Sequence, residues 1–251
     1  MIENIEILIN QGRQSIPDPT RAEVPGIFRG VPEITTVPID EKKLVSFCPL
    51  GAINGNPLSI DLGKCSFCGD CARAFPEKIK FSKDYRMATN DRKRLIIAEG
   101  PRNPITLDPS LIRKEITSIF RGSLKLRQVS AGGDNSSELE LNASGNVNFD
   151  MGRYGIEFVA SPRHADGIVI TGPISSNMAE PLRLCYEAIP SPKIVVLAGT
   201  DAISGGLFRE SPAIDRTFLD KYSVDLYVPG NPVHPLTFIN GLLDLIRMKS
   251  F

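Results

Sequence analysis

Five cysteines stand in this chain, and four of them are spaced so narrowly that they limit what residues 39–100 can become. Cys65, Cys68 and Cys71 form CSFCGDC, and Cys48 lies upstream, followed directly by Pro49. Three thiols at successive x2 spacing plus a separate Cys-Pro make a ligand set for one [4Fe–4S] cubane. Tetrahedral zinc also accepts four thiolates, often as C-x2-C pairs, and a metal-free remnant is the bland alternative. A disulfide framework fits poorly, because the chain is long and poor in cysteine for that class.

The two-cluster ferredoxin run, C-x2-C-x2-C-x3-C-P, lends the fourth cysteine of each run to the other run's cluster. Here the second run continues to Phe75-Pro76 where Cys-Pro would stand, and the first run's other three positions, counted back from Cys48, are Pro38, Glu41 and Leu44. One ligand set is complete and the other has lost every member. The sequence therefore predicts one iron–sulfur centre, held by Cys48, Cys65, Cys68 and Cys71.

Composition bounds the rest. Lys plus Arg and Asp plus Glu both number 29, so no net charge draws the chain to nucleic acid or anionic lipid. No apolar run reaches membrane-spanning length, and MIENIEILINQGRQS lacks a signal-peptide layout. Thiols in place of disulfides point to a reducing compartment.

The chain divides into three parts. Within residues 1–38, positions 2–12 read as a short amphipathic helix with Ile2, Ile5, Leu8 and Ile9 on one face. Pro17, Pro19, Pro25, Pro32 and Pro38 then make residues 15–38 an irregular arm, lying on its own domain or across a partner. Residues 39–100 form the small cysteine-bearing unit, with short strands at LSIDL, IKF and RLII. From 101 to 251, strands (SLKLRQV, GIEFVA, GIVITG, KIVVLAG, VDLYVPG) alternate with helices (LIRKEITSIF, capped by Asp108-Pro109, then MAEPLRLCYEAI and PLTFINGLLDLIRM). That alternation predicts an α/β domain with a mostly parallel, flavodoxin-like sheet, functional at the loops after its strands: AGGDNSSE, ASPRHAD, TGPISSN, AGTDAISGG and PGNPVHP.

Those loops carry a resemblance. VSAGGDNSSE, the stretch from FVASPRHAD to KIVVLAG, TDAISGG and VDLYVPGNPVHPLT closely resemble the small-subunit family shared by complex I (its 20 kDa subunit) and group 4 membrane-bound [NiFe] hydrogenases such as formate hydrogenlyase. The match covers roughly residues 120–247 (several loops in order). Upstream, FRGVPEI and the cysteine run resemble the ferredoxin-like subunit of the same complexes, fused in front. Family members bind a second [4Fe–4S] cluster through a pattern like GGCNxCE, GxCAxxGG and PGCPPHP. This chain keeps each loop and departs at each ligand, presenting Asp134, Ser137, Asp201 and Asn231. Oxygen and amide groups suit hard cations and do not replace soft thiolates at an iron–sulfur cluster. The resemblance thus implies that the second cluster is absent. An oxygen-ligand metal site from Asp134, Asp201 and Asn231 is a side reading.

The resemblance implies an electron-transfer subunit at the cytoplasmic face of a membrane, peripheral to it, docked on a large-subunit homologue and membrane-arm subunits. The alternative is a non-catalytic structural or redox-sensing scaffold of a hydrogenase-related ion-translocating complex. An independent ferredoxin-type carrier leaves the second domain unexplained. Whether the chain itself takes part in catalysis stays open. Of the remaining residues, Glu138 stands where related hydrogenases place a glutamate near the proton route. His164 and His234 read as hydrogen-bonded loop histidines, with proton carriage as the functional alternative. Cys185 reads as a buried, inert thiol. TGPISSN is a conceivable phosphate or flavin cradle, and Gly205-Gly206 a tight turn.

Overall fold

A computed structural model describes residues 2–12 and 14–247. In chain order the elements are α1 (Ile2–Gln11), β1 (Pro32–Ile34), α2 (Glu41–Phe47), β2 (Ile53–Asn54), β3 (Ser59–Asp61), α3 (Asp70–Ala74), β4 (Ile79–Phe81) and β5 (Ile96–Ala98). There follow α4 (Lys114–Ile119), β6 (Leu124–Ser130), α5 (Ser136–Ala143), β7 (Ile156–Phe158), β8 (Gly167–Thr171), α6 (Ser176–Ala188), β9 (Ile194–Ala198), α7 (Thr200–Ser204), α8 (Thr217–Lys221), β10 (Leu226–Val228) and α9 (Pro235–Arg247).

Five parallel strands in the order β10-β9-β8-β6-β7 form the main sheet. This is the flavodoxin-like order, with its reversal of strand order between β6 and β8. Continuous apolar runs make β8 and β9 because both faces are covered. Ile168, Ile170, Val195 and Leu197 point into one core, and Val169, Ile194, Val196 and Ala198 into the other. The second core is completed by α4 and α9, whose Ile239, Leu242 and Ile246 are fully buried.

The first core is shared. It joins Leu44, Leu62, Met87 and Leu95 of the small unit to the parallel sheet and to Leu182 of α6. The small unit holds two antiparallel sheets, β1-β4 and β2-β3-β5. The stretch read as an irregular arm through residue 38 thus contains an edge strand. Pro32 opens it, where no strand partner needs its missing N–H. The rest of the arm lies on its own chain. Tyr85 Oη donates to Pro19 O at 2.8 Å and accepts from Ala22 N at 2.9 Å, while Asn240 Nδ2 reaches Pro19 O at 2.6 Å. On α1, Ile5, Leu8 and Ile9 are exposed.

Three expectations shift locally. Asp108 caps a 3-10 turn, Pro109–Leu111, and the helix begins only at Lys114. GIEFVA yields just three residues of edge strand, partly exposed. Two helices, α5 and α7, start inside segments read as loops, because their apolar positions are too few to show a period.

Candidate functional site

The four cysteines at cluster spacing line one small pocket of about 30 Å³, together with Phe47, Ile60 and Phe81. Cys48 terminates α2, which Asp40 starts by accepting Lys43 N at 3.2 Å. Cys65 is buried in the turn after β3, where its N–H donates to Asp61 O at 2.9 Å. Asp61 is fixed in turn by Gly63 N at 2.9 Å and Arg92 Nη2 at 2.7 Å. Cys71 rides on α3, and Cys68 is exposed on the loop between. Burial pushes the Cys65 thiol up to about 12 and the Cys71 thiol up to about 11, and charge on the neighbouring cysteines adds to both shifts. Left alone they stay protonated at neutral pH, and only a bound cation would draw the protons off. Backbone amides already address the sulfurs: Phe67 N–H donates to Cys65 Sγ at 3.3 Å.

Among the described residues no three His, Cys, Asp or Glu side chains form a group that could hold a single metal ion. A cubane makes a different demand, because each thiolate binds a different iron and the sulfurs stand further apart than around one zinc. A shared pocket, mutual electrostatic influence and an amide aimed at sulfur fit the larger group.

The vacated half of the cysteine motif is filled. Leu44 is fully buried, and Phe75 sets its ring edge-on to Phe47 at 6.1 Å. Pro38 and Glu41 face solvent. Close to Phe75, whose carbonyl accepts its N–H at 3.0 Å, lies Lys78, which no sequence signal marked. Its buried Nζ donates to Val37 O at 2.8 Å and to Glu99 Oε2 at 2.9 Å.

The second candidate site lies at the ends of the parallel strands. Asp134 Oδ1 accepts Ser136 N at 3.0 Å and Ser136 Oγ at 2.6 Å, which holds its carboxyl below the usual range. Ser137 is buried, and its Oγ lies 2.8 Å from where a Cβ on Gly199 would stand. Asp201 is driven upward by burial and then by charge on Asp134 and Glu138. The Gly205-Gly206 turn favours glycine, since both residues are left-handed (φ +88° and +56°) and a Cβ on Gly205 would stand 2.9 Å from Arg209 Cα. Asn231 lies beyond Gly230, whose carbonyl faces the same Gly199 position at 3.5 Å. Ser137 and the carbonyl before Asn231 thus meet at Gly199, and Asp134 and Asp201 lie close enough for charge on one to raise the other.

Glu138 is buried and tied across the point where strand order reverses. It accepts Ser130 Oγ at 2.5 Å and Thr171 Oγ1 at 2.7 Å. The loops after β6 and β8 approach closely there, since a Cβ on Gly172 would lie 2.4 Å from Gly133 N. Arg216, also unmarked in the sequence, donates to the carbonyls of Pro173, Asp201, Ala202 and Ile203 and so braces α7.

The two sites touch. Thr200 Oγ1 donates to Cys65 O at 2.8 Å, and the Arg209 guanidinium donates to Leu50 O. A cleft of about 260 Å³ runs between Phe28 and Phe67 on one side and Asn231, His234 and Glu140 on the other. His234 sits edge-on to Phe28 at 5.0 Å and accepts Leu236 N at Nδ1. Burial pulls it down to about 4, so it is neutral. This is the hydrogen-bonded loop histidine expected. His164 is exposed, and Cys185 is half-buried where full burial was expected.

Known proteins share these loops. The model of the NADH ubiquinone oxidoreductase 20 kDa subunit matches residues 135–245. A probable membrane-bound hydrogenase subunit of Pyrococcus furiosus is 36% identical over 115 residues, covering 46% of this chain and 69% of that one. The chain belongs to the NADH ubiquinone oxidoreductase 20 kDa subunit family. Within this family, an NADH-quinone oxidoreductase subunit from Desulfovibrio desulfuricans is 41% identical over 107 residues (43% of this chain, 58% of that one). Formate hydrogenlyase subunit 7 of Escherichia coli is 32% identical over 161 residues (60% and 63%). The chain therefore spans less than two thirds of these last two relatives. A chain of the archaeal membrane-bound sulfane sulfur reductase, a respiratory membrane complex, superposes with a TM-score of 0.44 at 29% identity, over 51% of this chain and 72% of that one. Among the described residues no helix is long and apolar enough to cross a membrane.

Proposed function

We propose that this family member is an electron-transfer subunit of a membrane-associated complex related to complex I and group 4 hydrogenases. It would carry a single [4Fe–4S] cluster on Cys48, Cys65, Cys68 and Cys71 in a ferredoxin-like unit, and none in the family domain. One observation carries the reading: Cys48, Cys65, Cys68 and Cys71 line one pocket; the absence of thiols at Asp134, Ser137, Asp201 and Asn231 supports the single cluster. When bound, the cluster supplies a one-electron carrier; the chain holds it, shields its Cys65 side and leaves its Cys68 edge open to a partner. A large-subunit homologue and membrane-arm subunits are the partners this assigns, with the chain peripheral at the cytoplasmic face.

Iron and acid-labile sulfide per chain, with EPR after dithionite reduction of anaerobically purified protein, test it. The expected result is about four irons and one reduced signal that Cys68→Ser abolishes. About eight irons would overturn the single-cluster claim. No iron, or zinc, would favour the scaffold reading, whose support is the bracing of the altered loops by Glu138 and Arg216. A neighbouring large subunit with its four [NiFe] cysteines would sink that scaffold reading.

A further inference from the structure

We propose that Arg29, from the arm, is a positioning residue that sets the reduction potential of the cluster by holding Phe67 in a left-handed turn. The proposal rests on the single-cluster reading. Phe67 lies between two of the cysteines, and its φ is +56°, a conformation that a bulky residue seldom adopts unless its surroundings impose it. In that conformation its two backbone groups have separate partners. Its N–H donates to Cys65 Sγ at 3.3 Å, and its carbonyl accepts from Arg29 Nε. The ring is buried in the shared core, tilted against Phe81 at 6.3 Å, so the peptide is anchored from a third direction.

Arg29 is itself placed by its neighbours. Phe28 packs on His234 across the cleft. Gly30 presses against the backbone of Asp84, where a Cβ would stand 2.2 Å from the carbonyl oxygen, and its N–H donates to Ser82 O at 2.8 Å. The stem of Arg29 crosses Gly69, another left-handed residue (φ +78°), where a Cβ would come within 3.0 Å of Arg29 Cδ. Phe28, Arg29 and Gly30, the start of FRGVPEI, thus deliver a cation to the Cys65–Cys68 loop from a residue that stays exposed. Because solvent screens that charge, the geometry of the turn is the principal lever. Amide donors to cluster sulfur stabilise the more negative reduced state and raise the potential. Without Arg29 the Phe67 carbonyl loses its donor, the left-handed turn is held by the ring alone, and the Phe67 N–H shifts relative to Cys65 Sγ.

The test compares the full chain with Arg29→Met and Arg29→Lys, measuring iron and sulfide per chain and then potential by EPR-monitored titration. All three should hold about four irons. In Arg29→Met the reduced-to-oxidised ratio at a fixed potential should fall about tenfold, about 59 mV for one electron. Arg29→Lys, which keeps a cationic donor on a flexible stem, should recover at least half of that shift. Loss of iron from Arg29→Met alone would overturn the potential-setting role, because Arg29 would then be needed to hold the cluster at all. An unchanged potential in Arg29→Met, an equal shift in Arg29→Lys, or loss of iron from both would overturn the role of Arg29. A parent chain without iron would overturn the cluster reading and this inference with it.

Discussion

Lys78→Met is the sharpest probe of how the vacated half of the cysteine motif is closed. The lysine side chain is 2% exposed and its Nζ serves two acceptors, Val37 O and Glu99 Oε2. Methionine preserves the stem volume, so the loss is electrostatic rather than a cavity. Breaking a buried pair by removing one partner costs roughly 3–5 kcal/mol, because a charge stays buried and unpaired. Glu99 is 26% exposed, so water recovers part of that, which lowers the expectation to about 2–3 kcal/mol. For a chain of this size the thermal midpoint should fall by about 4–12 °C. Lys78→Met combined with Glu99→Leu removes both charges, and most of the loss should return, so the double variant should lose far less than the sum of the singles. The assay is thermal unfolding by circular dichroism on the parent, both single variants and the double variant. A midpoint within 1–2 °C of the parent (roughly 0.5 kcal/mol) for Lys78→Met would refute the reasoning. So would a double variant that loses the sum of both singles.

Three further outcomes follow from the same structure. Arg216→Met strips four carbonyls of their donor and should cost about 2–3 kcal/mol by chemical denaturation, with Arg216→Lys intermediate. His234 has a folded-state value of about 4, below its ordinary 6.5, so its contribution is present above pH 6.5 and lost as pH falls toward 4. That difference is worth about 3 kcal/mol, and His234→Phe should flatten the stability profile across this window by one proton. Restoring cysteine together at Asp134, Ser137, Asp201 and Asn231 should raise iron from about four to about eight per chain, provided the loops still present a cluster-sized site.

Much of the parallel sheet was legible because doubly buried strands must be largely continuous apolar runs, as IVVLA and the IVI of GIVIT are. The cysteine spacing was equally legible, and it led to thiols that share a pocket. What stayed hidden were the long side chains that act at a distance along the chain. Lys78 and Arg216 look like any surface cation until the fold buries their stems against carbonyls from elsewhere. Edge strand β1 was hidden for a related reason. Three residues beginning with proline carry too little pattern to outweigh the prolines around them, and only the register with Ile79–Phe81 makes them a strand.

The arrangement of the two halves bears on why the altered loops persist. A domain that had only lost a cofactor would be expected to relax where the cofactor had been. Here α7 is pinned by Arg216 beneath and by Thr200 on Cys65 O, and Glu138 ties β6 to β8. The loops carrying Thr200 and Arg209 form a floor on which the cysteine unit rests. In the proposed single-cluster chain, selection on that floor would continue after its own thiolates were gone. The family domain would then serve as the rigid seat of the remaining electron carrier, with Arg29 closing the seat from the opposite side.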